Sequence, residues 1–313
     1  MLEIKENIGL APYTIYKIGG PARYFVEAKS ADDLCKALAY AAHQKVPFFI
    51  LGAGSNVLIA DRGYDGMVIH MTGGTMRTDG ELLHVDAGVM MARAASEAAR
   101  AGLAGFEWGI GVPGTIGGSV RGNAGCFEGE MRDVVESVEV LDMLNPKPFT
   151  LNPSQCGFSY RHSIFKLHPE WIVLSATLKL RSGDPAVIQE RIRKITTERL
   201  DRQAIGTKSC GCIFKNISWM REDIKQDALI KQFPELAQFS DRPGIPASFL
   251  IDASGVKGVR KGGAVISDKH ANFFLNEGAA TADDVVRLVA AAKDAVMKKY
   301  GLALKEEIQY VGF

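Results

Sequence analysis

The sequence predicts an α+β protein of two or three domains, not a single doubly wound sheet. Its 313 residues suffice for several cores, and 47% hydrophobic with 23% charged residues is ordinary for a globular protein. A β-α-β segment and strand-rich stretches alternate along the chain, which is typical of α+β domains. Glycines are concentrated in a few clusters, which we do not interpret as the dinucleotide fingerprint of a Rossmann domain.

Charge and cysteine content exclude several classes of protein. The net charge of +1 gives no reason to expect binding to nucleic acid or to an anionic membrane. The five scattered cysteines are unlike a disulfide framework and fit a reducing compartment. The N-terminal stretch lacks the apolar region of a signal peptide, and no apolar run reaches the roughly 18–20 residues that span a bilayer. We therefore expect a soluble, cytoplasmic protein without a metal site.

The first elements form a β-α-β unit. Residues 23–29 have the composition of a strand, and residues 30–44 predict a helix with Ser30 as N-cap and aspartates in its first turn. Residues 46–52 form a short apolar run of the length of a buried strand. This second strand ends directly in a glycine-rich segment.

The later elements follow from the same local signals of periodicity and capping. Strands are expected at residues 82–88, 134–143 and 171–183, and helices at residues 89–102, 183–203 and 281–301, the last with Thr281 as cap and Gly301 as stop.

Two glycine-rich segments predict a cradle for a ligand with a diphosphate. GAGSN (52–56) follows a strand, and GVPGTIGG (111–118), which we also expect after a strand, comes about sixty residues later. Glycines allow the backbone to approach a phosphate closely, and successive N–H groups supply positive potential without a charged side chain. The alternative is that these glycines only form turns.

Seven motifs, in order and across nearly the whole chain, resemble those of the UDP-N-acetylenolpyruvoylglucosamine reductase (UDP-N-acetylmuramate dehydrogenase) family, in its shorter second type. They are YTIYKIGGPARYF (13–25), LGAGSNVLIAD (51–61), GIGVPGTIGGSVRGNAGCF (109–127), YRHSIF (160–165), SCGCIFKN (209–216), LIDASGVKGVRKGGAVISDKHANFFLN (250–276) and LALKEEIQYVG (302–312).

The resemblance implies a two-part FAD-binding unit of the vanillyl-alcohol-oxidase-like (PCMH-type) fold and an α+β substrate-binding domain. We expect FAD-binding subdomains at residues 1–70 and 71–200, a substrate-binding domain at 201–305, and a return of residues 306–313 to the first subdomain. The implied activity is NADPH-dependent, FAD-mediated reduction of UDP-N-acetylglucosamine enolpyruvate to UDP-N-acetylmuramate in peptidoglycan synthesis. The implied partner is the nucleotide-sugar, with no nucleic acid or membrane, and the chain is expected to be a monomer or weak dimer.

Site residues carry over by motif. Cofactor contacts are implied for Gly52, Ala53, Gly54, Ser55, Asn56, Pro113, Gly114, Thr115, Gly117, Gly118, Asn123, Ala124 and Gly125. Substrate contacts are implied for Tyr160, Lys215, Asn216 and Lys257. Solvated loop lysines are the alternative for Lys215 and Lys257, core packing is the alternative for Tyr160, and His270 is interpreted as a hydrogen-bonded structural histidine.

Three residues are implied to be catalytic. Reduction of an enolpyruvyl double bond places negative charge beside a carboxylate, so Arg161 is expected to bind that group through its planar guanidinium. Glu307 is expected to share a proton with the enolic oxygen, which requires burial to raise its pKa, while Glu306 is expected to remain in solvent. Cys212 occupies the position where the family usually has a serine that protonates carbon.

A cysteine at position 212 preserves this role, because a thiol with an ordinary pKa of about 8.5 is mostly protonated at neutral pH and is a better acid than an alcohol. Lys215 lies close in sequence and would favour the thiolate, which cannot donate. A buried structural cysteine, a metal pair with Cys210 and a strained disulfide with Cys210 are the alternatives.

Two other functions remain open at this point. One is a flavin-dependent oxidase or dehydrogenase of the same fold that acts on another sugar or alcohol. The other is a non-catalytic flavin or nucleotide-sugar binding protein, in which the change to Cys212 marks lost activity.

Overall fold

The structure is a computed structural model that describes residues 2–145, 147–202 and 206–313. Its helices are α1 (Ala31–Gln44), α2 (Met91–Arg100), α3 (Ile116–Gly122), α4 (Pro185–Arg202), α5 (Gln226–Gln232), α6 (Ala247–Ala253) and α7 (Ala282–Tyr300). Its strands are β1 (Lys5–Gly9), β2 (Pro21–Ala28), β3 (Phe48–Leu51), β4 (Val57–Ile59), β5 (Tyr64–Met71), β6 (Met76–Asp79), β7 (Leu82–Asp86), β8 (Leu103–Ala104), β9 (Gly125–Cys126), β10 (Gly129–Glu130), β11 (Val135–Asp142), β12 (Pro148–Leu151), β13 (Trp171–Lys179), β14 (Arg181–Ser182), β15 (Ile217–Ser218), β16 (Gly244–Ile245), β17 (Arg260–Lys261), β18 (Ala264–Ile266), β19 (Phe274–Asn276) and β20 (Gln309–Val311).

The predicted helices and strands are confirmed with small shifts at their ends, except that the strand predicted at residues 171–183 is two strands, β13 and β14, in different sheets. Ser30 caps α1 by accepting a hydrogen bond from the N–H of Asp33 at 3.1 Å. Thr281 and Asp284 form a capping box at the start of α7, and Gly301 ends that helix in the left-handed conformation. The helix predicted to end at residue 203 is α4, and residue 203 itself lies outside the described residues.

The chain forms two compact units, each assembled from separate segments. The first comprises the chain up to Ile8 together with Ala22–Gly54 and Asp65–Asp201. The second comprises Gly9–Pro21, Ser55–Tyr64 and Arg202–Phe313. The division into three domains stays a prediction, and residues 203–205, beside one of the predicted boundaries, lie outside the described residues.

Among the described residues, the first unit contains two larger sheets, the two-stranded sheets β9-β10 and β8-β14, and the helices packed on them. One sheet has the strand order β1-β2-β5-β3, with β3 and β5 parallel, and the other is an antiparallel sheet of order β12-β11-β13-β7-β6. Helix α2 buries a stripe of small side chains that includes Ala94, Ala95 and Ala98. This 3.6-residue periodicity packs α2 into the core shared by the antiparallel sheet.

The second unit is built around one core that contains α6, α7 and the antiparallel sheet β17-β18-β19. Helix α7 buries Val285, Leu288, Val289 and Ala292, which lie on one helical face. The C-terminal strand β20 pairs in parallel with β4, which directly follows GAGSN. This pairing places the last motif of the chain beside the first glycine-rich segment.

Candidate active site

The first glycine-rich segment leaves β3 and leads into β4, as predicted. Gly54 is buried and adopts a left-handed φ of +62°, which glycine reaches without a steric penalty. Neither the N–H of Ala53 nor that of Gly54 hydrogen-bonds to any other residue in the described part of the chain. These two donors therefore face a position where an acceptor from a ligand would satisfy them.

Asn56 is tied to the C-terminal motif. Its Nδ2 donates to the backbone carbonyl of Glu307 at 3.2 Å, and its own carbonyl accepts from the N–H of Gln309 at 3.0 Å. The end of the first glycine-rich segment thus holds the chain on both sides of Ile308. Asn56 therefore positions the backbone of Glu307, and this role is independent of any contact between Asn56 and a cofactor.

The second glycine-rich segment does not follow a strand, and this expectation was wrong. Residues 109–114 have G-x-G-x-x-G spacing, but a 3-10 helix over Glu107–Gly111 precedes the loop and α3 follows it. Tertiary packing explains the need for glycine here, because a Cβ on Gly117 would lie 2.8 Å from the Cβ of Ala87. These glycines let α3 begin against the preceding strand.

The first amides of α3 bind acceptors of the chain itself. The N–H of Ile116 donates to Val89 at 2.9 Å and that of Gly117 to Ala87 at 2.9 Å, while that of Gly118 donates to Oγ1 of Thr115 at 3.4 Å. A phosphate bound through these amides would have to displace those acceptors. Contact of Gly117 and Gly118 with a cofactor stays a prediction. Close approach of a cofactor to their Cα atoms fits the structure better than hydrogen bonds to their amides.

The two glycine-rich segments meet within the first unit. A Cβ on Gly52 would lie 2.6 Å from Oγ1 of Thr115, so glycine is required where the segments approach. Arg121, which the sequence reasoning missed, is half-buried on α3, and burial lowers the pKa of its guanidinium. It forms no ion pair with a carboxylate of the described residues. Three features fit a cofactor with a diphosphate. They are the amides of Ala53 and Gly54, the glycine backbone that a ligand can approach closely, and the desolvated cation of Arg121.

Arg161 lies in a tight turn that is closed by two reciprocal backbone hydrogen bonds between Ser159 and His162, both 3.0 Å long. Its φ of +53° is left-handed, which costs a non-glycine residue about 1–2 kcal/mol. Its Nη2 donates to the carbonyl of Gly125 at 2.8 Å, and its guanidinium lies 5.5 Å from the ring centroid of Tyr160. Strain of this kind persists only where surrounding contacts hold it, which is typical of functional sites.

Asn123 and its neighbours surround this turn. Asn123 is fully buried, and its Nδ2 donates to the carbonyl of Ser159 at 2.9 Å. The backbone of Ala124 is engaged with Ser119 and Met131. Contact between Asn123 and the cofactor, predicted from the motif, would require these hydrogen bonds to open. The motifs around residues 123 and 161 therefore form one structural element.

In the second unit, the structure brings Cys212 and Glu307 onto neighbouring stretches of backbone. The N–H of Glu307 donates to the carbonyl of Ile213 at 2.8 Å, and the N–H of Lys215 donates to the carbonyl of Lys305 at 2.9 Å. The chain bends at Gly211, whose φ is +80°. Cys212, in contrast to the buried Cys210, is partly exposed.

Asn272 holds the other side of this stretch, and the sequence reasoning missed it. Its Oδ1 accepts from the N–H of Phe214 at 2.9 Å, and its Nδ2 donates to the carbonyl of Phe214 at 2.8 Å. The side chain of Asn272 therefore makes the two hydrogen bonds with Phe214 that the backbone of a neighbouring strand would otherwise make. The signal was available in the motif SDKHANFFLN, where a buried asparagine interrupts an apolar run.

The electrostatics of this region favour a protonated thiol at Cys210. Burial raises the pKa of Cys210 strongly, and the neighbouring Cys212 and Glu307 raise it further. All five cysteines are free, so Cys210 and Cys212 form no disulfide in this structure. Glu306, which we expected in solvent, is partly exposed and accepts a hydrogen bond from Nζ of Lys293 on α7 at 2.9 Å.

The remaining predicted residues of the second unit lie around α6. Oδ1 of Asn216 accepts from the N–H of Ala247 at 3.1 Å, at the start of this helix. Nζ of Lys257 lies 2.9 Å from a carboxylate oxygen of Asp252, at a cavity of about 270 Å³ that His270 also lines. Nδ1 of His270 is buried without a hydrogen-bond partner among the described residues, and the interpretation of His270 as a hydrogen-bonded structural histidine stays a prediction.

The ion pair of Lys257 with Asp252 and the imidazole of His270 line this cavity. Burial lowers the pKa of His270, and the nearby Lys257 lowers it further. Lys269 also lines the cavity, together with the aromatic ring of Phe249. Lysines beside an aromatic surface and a neutral imidazole can bind an anionic ligand that carries a planar ring.

Comparisons with known proteins agree with this geometry. Residues 22–145 match the family described as FAD binding domain, and residues 203–311 match the family described as UDP-N-acetylenolpyruvoylglucosamine reductase, C-terminal domain. The UDP-N-acetylenolpyruvoylglucosamine reductase of Gloeobacter violaceus is 35% identical, with 99% of this chain and 97% of that protein covered. The protein of the same name from Synechococcus sp. (strain JA-3-3Ab) is 38% identical, with 99% and 91% covered.

A solved structure matches over the same length. The crystal structure of UDP-N-acetylenolpyruvylglucosamine reductase from Thermus caldophilus aligns with a TM-score of 0.79 and 33% identity, covering 99% of this chain and 100% of that one. The fold and the first family match define a protein with an FAD binding domain, which confirms the predicted α+β class. The chain belongs to the UDP-N-acetylenolpyruvoylglucosamine reductase family.

Two further properties concern the described residues only. No helix in these ranges combines the length and the apolar character needed to cross a membrane. Within the same ranges, no three His, Cys, Asp or Glu side chains are grouped so that they could hold a metal ion.

Proposed function

We propose that this chain reduces the enolpyruvyl ether of UDP-N-acetylglucosamine enolpyruvate to the lactyl ether of UDP-N-acetylmuramate, in peptidoglycan precursor synthesis. The observation that carries the proposal is the full-length similarity to reductases of that name, at 35% and 38% identity. The residues expected from the motifs support it, because Arg161 and Glu307 are present in their motifs and Cys212 replaces the usual serine with another group that can donate a proton.

The cofactors are FAD and NADPH. Bound FAD supplies the transfer of hydride from NADPH to the substrate double bond. The residues of the chain that would hold it are the amides of Ala53 and Gly54 and the backbone around Gly52 and Thr115. The protein contributes binding, orientation and a proton, and the product gains one hydride and one proton.

Arg161 acts on the substrate carboxylate. A guanidinium pairs with a carboxylate through two parallel hydrogen bonds, and its charge stabilises the negative charge that spreads from the reacting carbon onto that group. One nitrogen, Nη2, is committed to the carbonyl of Gly125 at 2.8 Å. This bond fixes the plane of the guanidinium, so its orientation does not have to be found when substrate binds.

Cys212 donates the proton to carbon, and Glu307 acts on the enolic oxygen. A thiol donates its proton more readily than the serine hydroxyl usual in the family. We assign this role to Glu307, as the motif implies, whereas its neighbour Glu306 accepts a hydrogen bond from Nζ of Lys293. The hydrogen bond from the N–H of Glu307 to Ile213 keeps the backbone of the two residues in register.

The nucleotide-sugar is bound by the second unit. We assign Lys215, Asn216 and Lys257 to the diphosphate and sugar, and Tyr160 of the first unit to the cover of the substrate or flavin. The cavity beside Lys257 has a volume of about 270 Å³, which suits part of a nucleotide. The chain acts in the cytoplasm as a monomer or weak dimer, without nucleic acid or membrane partners.

The test is consumption of NADPH by the FAD-loaded protein with two matched nucleotide-sugars. UDP-N-acetylglucosamine enolpyruvate should support turnover and yield a product two hydrogen atoms heavier by mass spectrometry. UDP-N-acetylglucosamine, which lacks the ether, should support none. Equal NADPH consumption with both compounds would instead indicate an oxidase or a dehydrogenase of another substrate.

A further inference from the structure

The buried amide of Asn123 makes hydrogen bonds with three residues in two segments of the first unit. Its Nδ2 donates to the carbonyl of Ser159 at 2.9 Å and to Oε2 of Glu130 at 3.0 Å, and its Oδ1 accepts from the N–H of Arg132 at 3.0 Å. The residue has 0% of its surface exposed. Both donors and the acceptor of the amide are therefore used by the chain itself.

The backbone of Asn123 needs an asparagine as well. It lies at the C-terminal end of α3 with a left-handed φ of +42°, and its N–H donates to the carbonyls of Ser119 and Val120. After glycine, asparagine adopts this conformation most readily. Glycine would supply the backbone but not the amide, and aspartate would supply the shape but not the two donors.

These hydrogen bonds converge on Arg161 from two directions. The carbonyl of Ser159 that receives the Asn123 amide is also one of the acceptors that closes the turn around Arg161. Glu130, the second acceptor of the amide, pairs with Gly125 in the β9-β10 hairpin, and the carbonyl of Gly125 holds Nη2 of Arg161. Asn123 is thereby linked to the backbone of Arg161 on one side and to its guanidinium on the other.

We propose that Asn123 is a positioning residue for Arg161, and that it acts on the reaction only through that arginine, not by contact with the cofactor. The inference rests on the proposed function, in which Arg161 binds the substrate carboxylate. Loss of the Asn123 amide leaves the turn and the hairpin each in place but removes the link that sets their relative position. Fewer contacts then stabilise the left-handed backbone of Arg161, and its guanidinium moves away from the position in which it binds the substrate carboxylate.

The test is a double-mutant cycle on the holoenzyme. FAD-loaded protein is reduced with NADPH under anaerobic conditions and mixed with UDP-N-acetylglucosamine enolpyruvate, and the return of flavin absorbance is timed. Asn123→Asp and Asn123→Gly should slow this return on the order of 10²-fold, as expected for a displaced catalytic group. Bleaching by NADPH and the Kd for FAD should match the wild type. In an Arg161→Ala background, neither substitution at position 123 should slow the return further.

Asn7→Asp is the matched control. Asn7 is an exposed asparagine with a left-handed φ of +54°, so the same substitution there changes charge and conformation type without touching the turn. Asn123→Gly covers the possibility that a buried aspartate prevents folding, because glycine tolerates the backbone without adding a charge. Retained flavin absorbance reports that each variant has folded.

Two results would overturn the inference. One is a further slowing by Asn123→Gly in the Arg161→Ala background, and the other is a weakened Kd for FAD, since both indicate action outside Arg161. Hydrogen exchange separates this inference from the proposed function. The amide of His162, which donates to Ser159, should exchange faster in Asn123→Asp than in Asn7→Asp. Unchanged exchange contradicts the inference, whereas a wild-type flavin that the nucleotide-sugar fails to restore contradicts the proposed function.

Discussion

The two adjacent glutamates near the C-terminus give the sharpest prediction about the site. Glu306 and Glu307 are consecutive, and a shift of one position in the motif would exchange their roles. The structure separates them, because Glu306 accepts from Nζ of Lys293 at 2.9 Å while the backbone of Glu307 is held by Ile213 and Asn56. We expect Glu306→Gln to affect stability only and Glu307→Gln to affect the reaction.

The magnitudes follow from exposure and chemistry. The side chains of Lys293 and Glu306 are 41% and 27% exposed, so solvent screens their ion pair and its loss costs about 0.5 kcal/mol. Glutamine at position 306 still accepts the hydrogen bond from Lys293, which keeps the cost small. At position 307, glutamine cannot share a proton with an enolic oxygen, and the loss of such a group costs about 10²–10⁴-fold.

The assay compares both variants in the same two experiments. In urea denaturation, Glu306→Gln should show a slightly lower free energy of unfolding than the wild type. Return of flavin absorbance after NADPH reduction should be slowed only in Glu307→Gln. A larger kinetic loss in Glu306→Gln would refute the assignment and exchange the roles of the two residues.

Three further predictions concern other parts of the molecule. Cys212→Ala should slow the return of flavin absorbance about 10²-fold or more, whereas Cys212→Ser should retain most of the wild-type rate. An undiminished rate in Cys212→Ala would exclude this thiol as the proton donor. Asp61 accepts hydrogen bonds from the N–H groups of Ala282 and Asp283 at 2.9 and 3.2 Å. Asp61→Ala should therefore lower the free energy of unfolding in urea by about 1 kcal/mol. No change would mean that the Thr281 cap is sufficient to stabilise the start of α7. Burial raises the pKa of Cys156 to about 11 from an ordinary 9.0, so the folded state holds this proton where the unfolded chain releases it. Stability from this group is complete below pH 9 and should fall between about pH 9 and 11, and a Cys156→Ala variant with the same decline would show that other groups cause it.

Local signals in the sequence were sufficient for the helix ends. Ser30, Thr281 and Gly301 act through hydrogen bonds and dihedral angles within a few residues of themselves, so a short window contains all of the physics. The position of GAGSN directly after a strand was also predictable, whereas its role as a diphosphate cradle stays a prediction.

Contacts between distant segments account for what the sequence did not reveal. Residues 116–122 form a helix despite three glycines, because Gly117 packs on Ala87 of a preceding segment. The motif around Asn123 predicts contact with the cofactor but does not reveal that the side chain donates a hydrogen bond to the carbonyl of Ser159, 36 residues further on. Burial of a whole side chain and the choice of its partners are properties of the folded unit.

The central claim is tested most directly by the flavin absorption band of the wild-type protein under anaerobic conditions. NADPH is added first and UDP-N-acetylglucosamine enolpyruvate second. The account predicts that NADPH bleaches the band and that the nucleotide-sugar restores it, which establishes both halves of the reaction. A band that NADPH bleaches and the nucleotide-sugar leaves bleached, or no flavin band after reconstitution with FAD, would contradict the account.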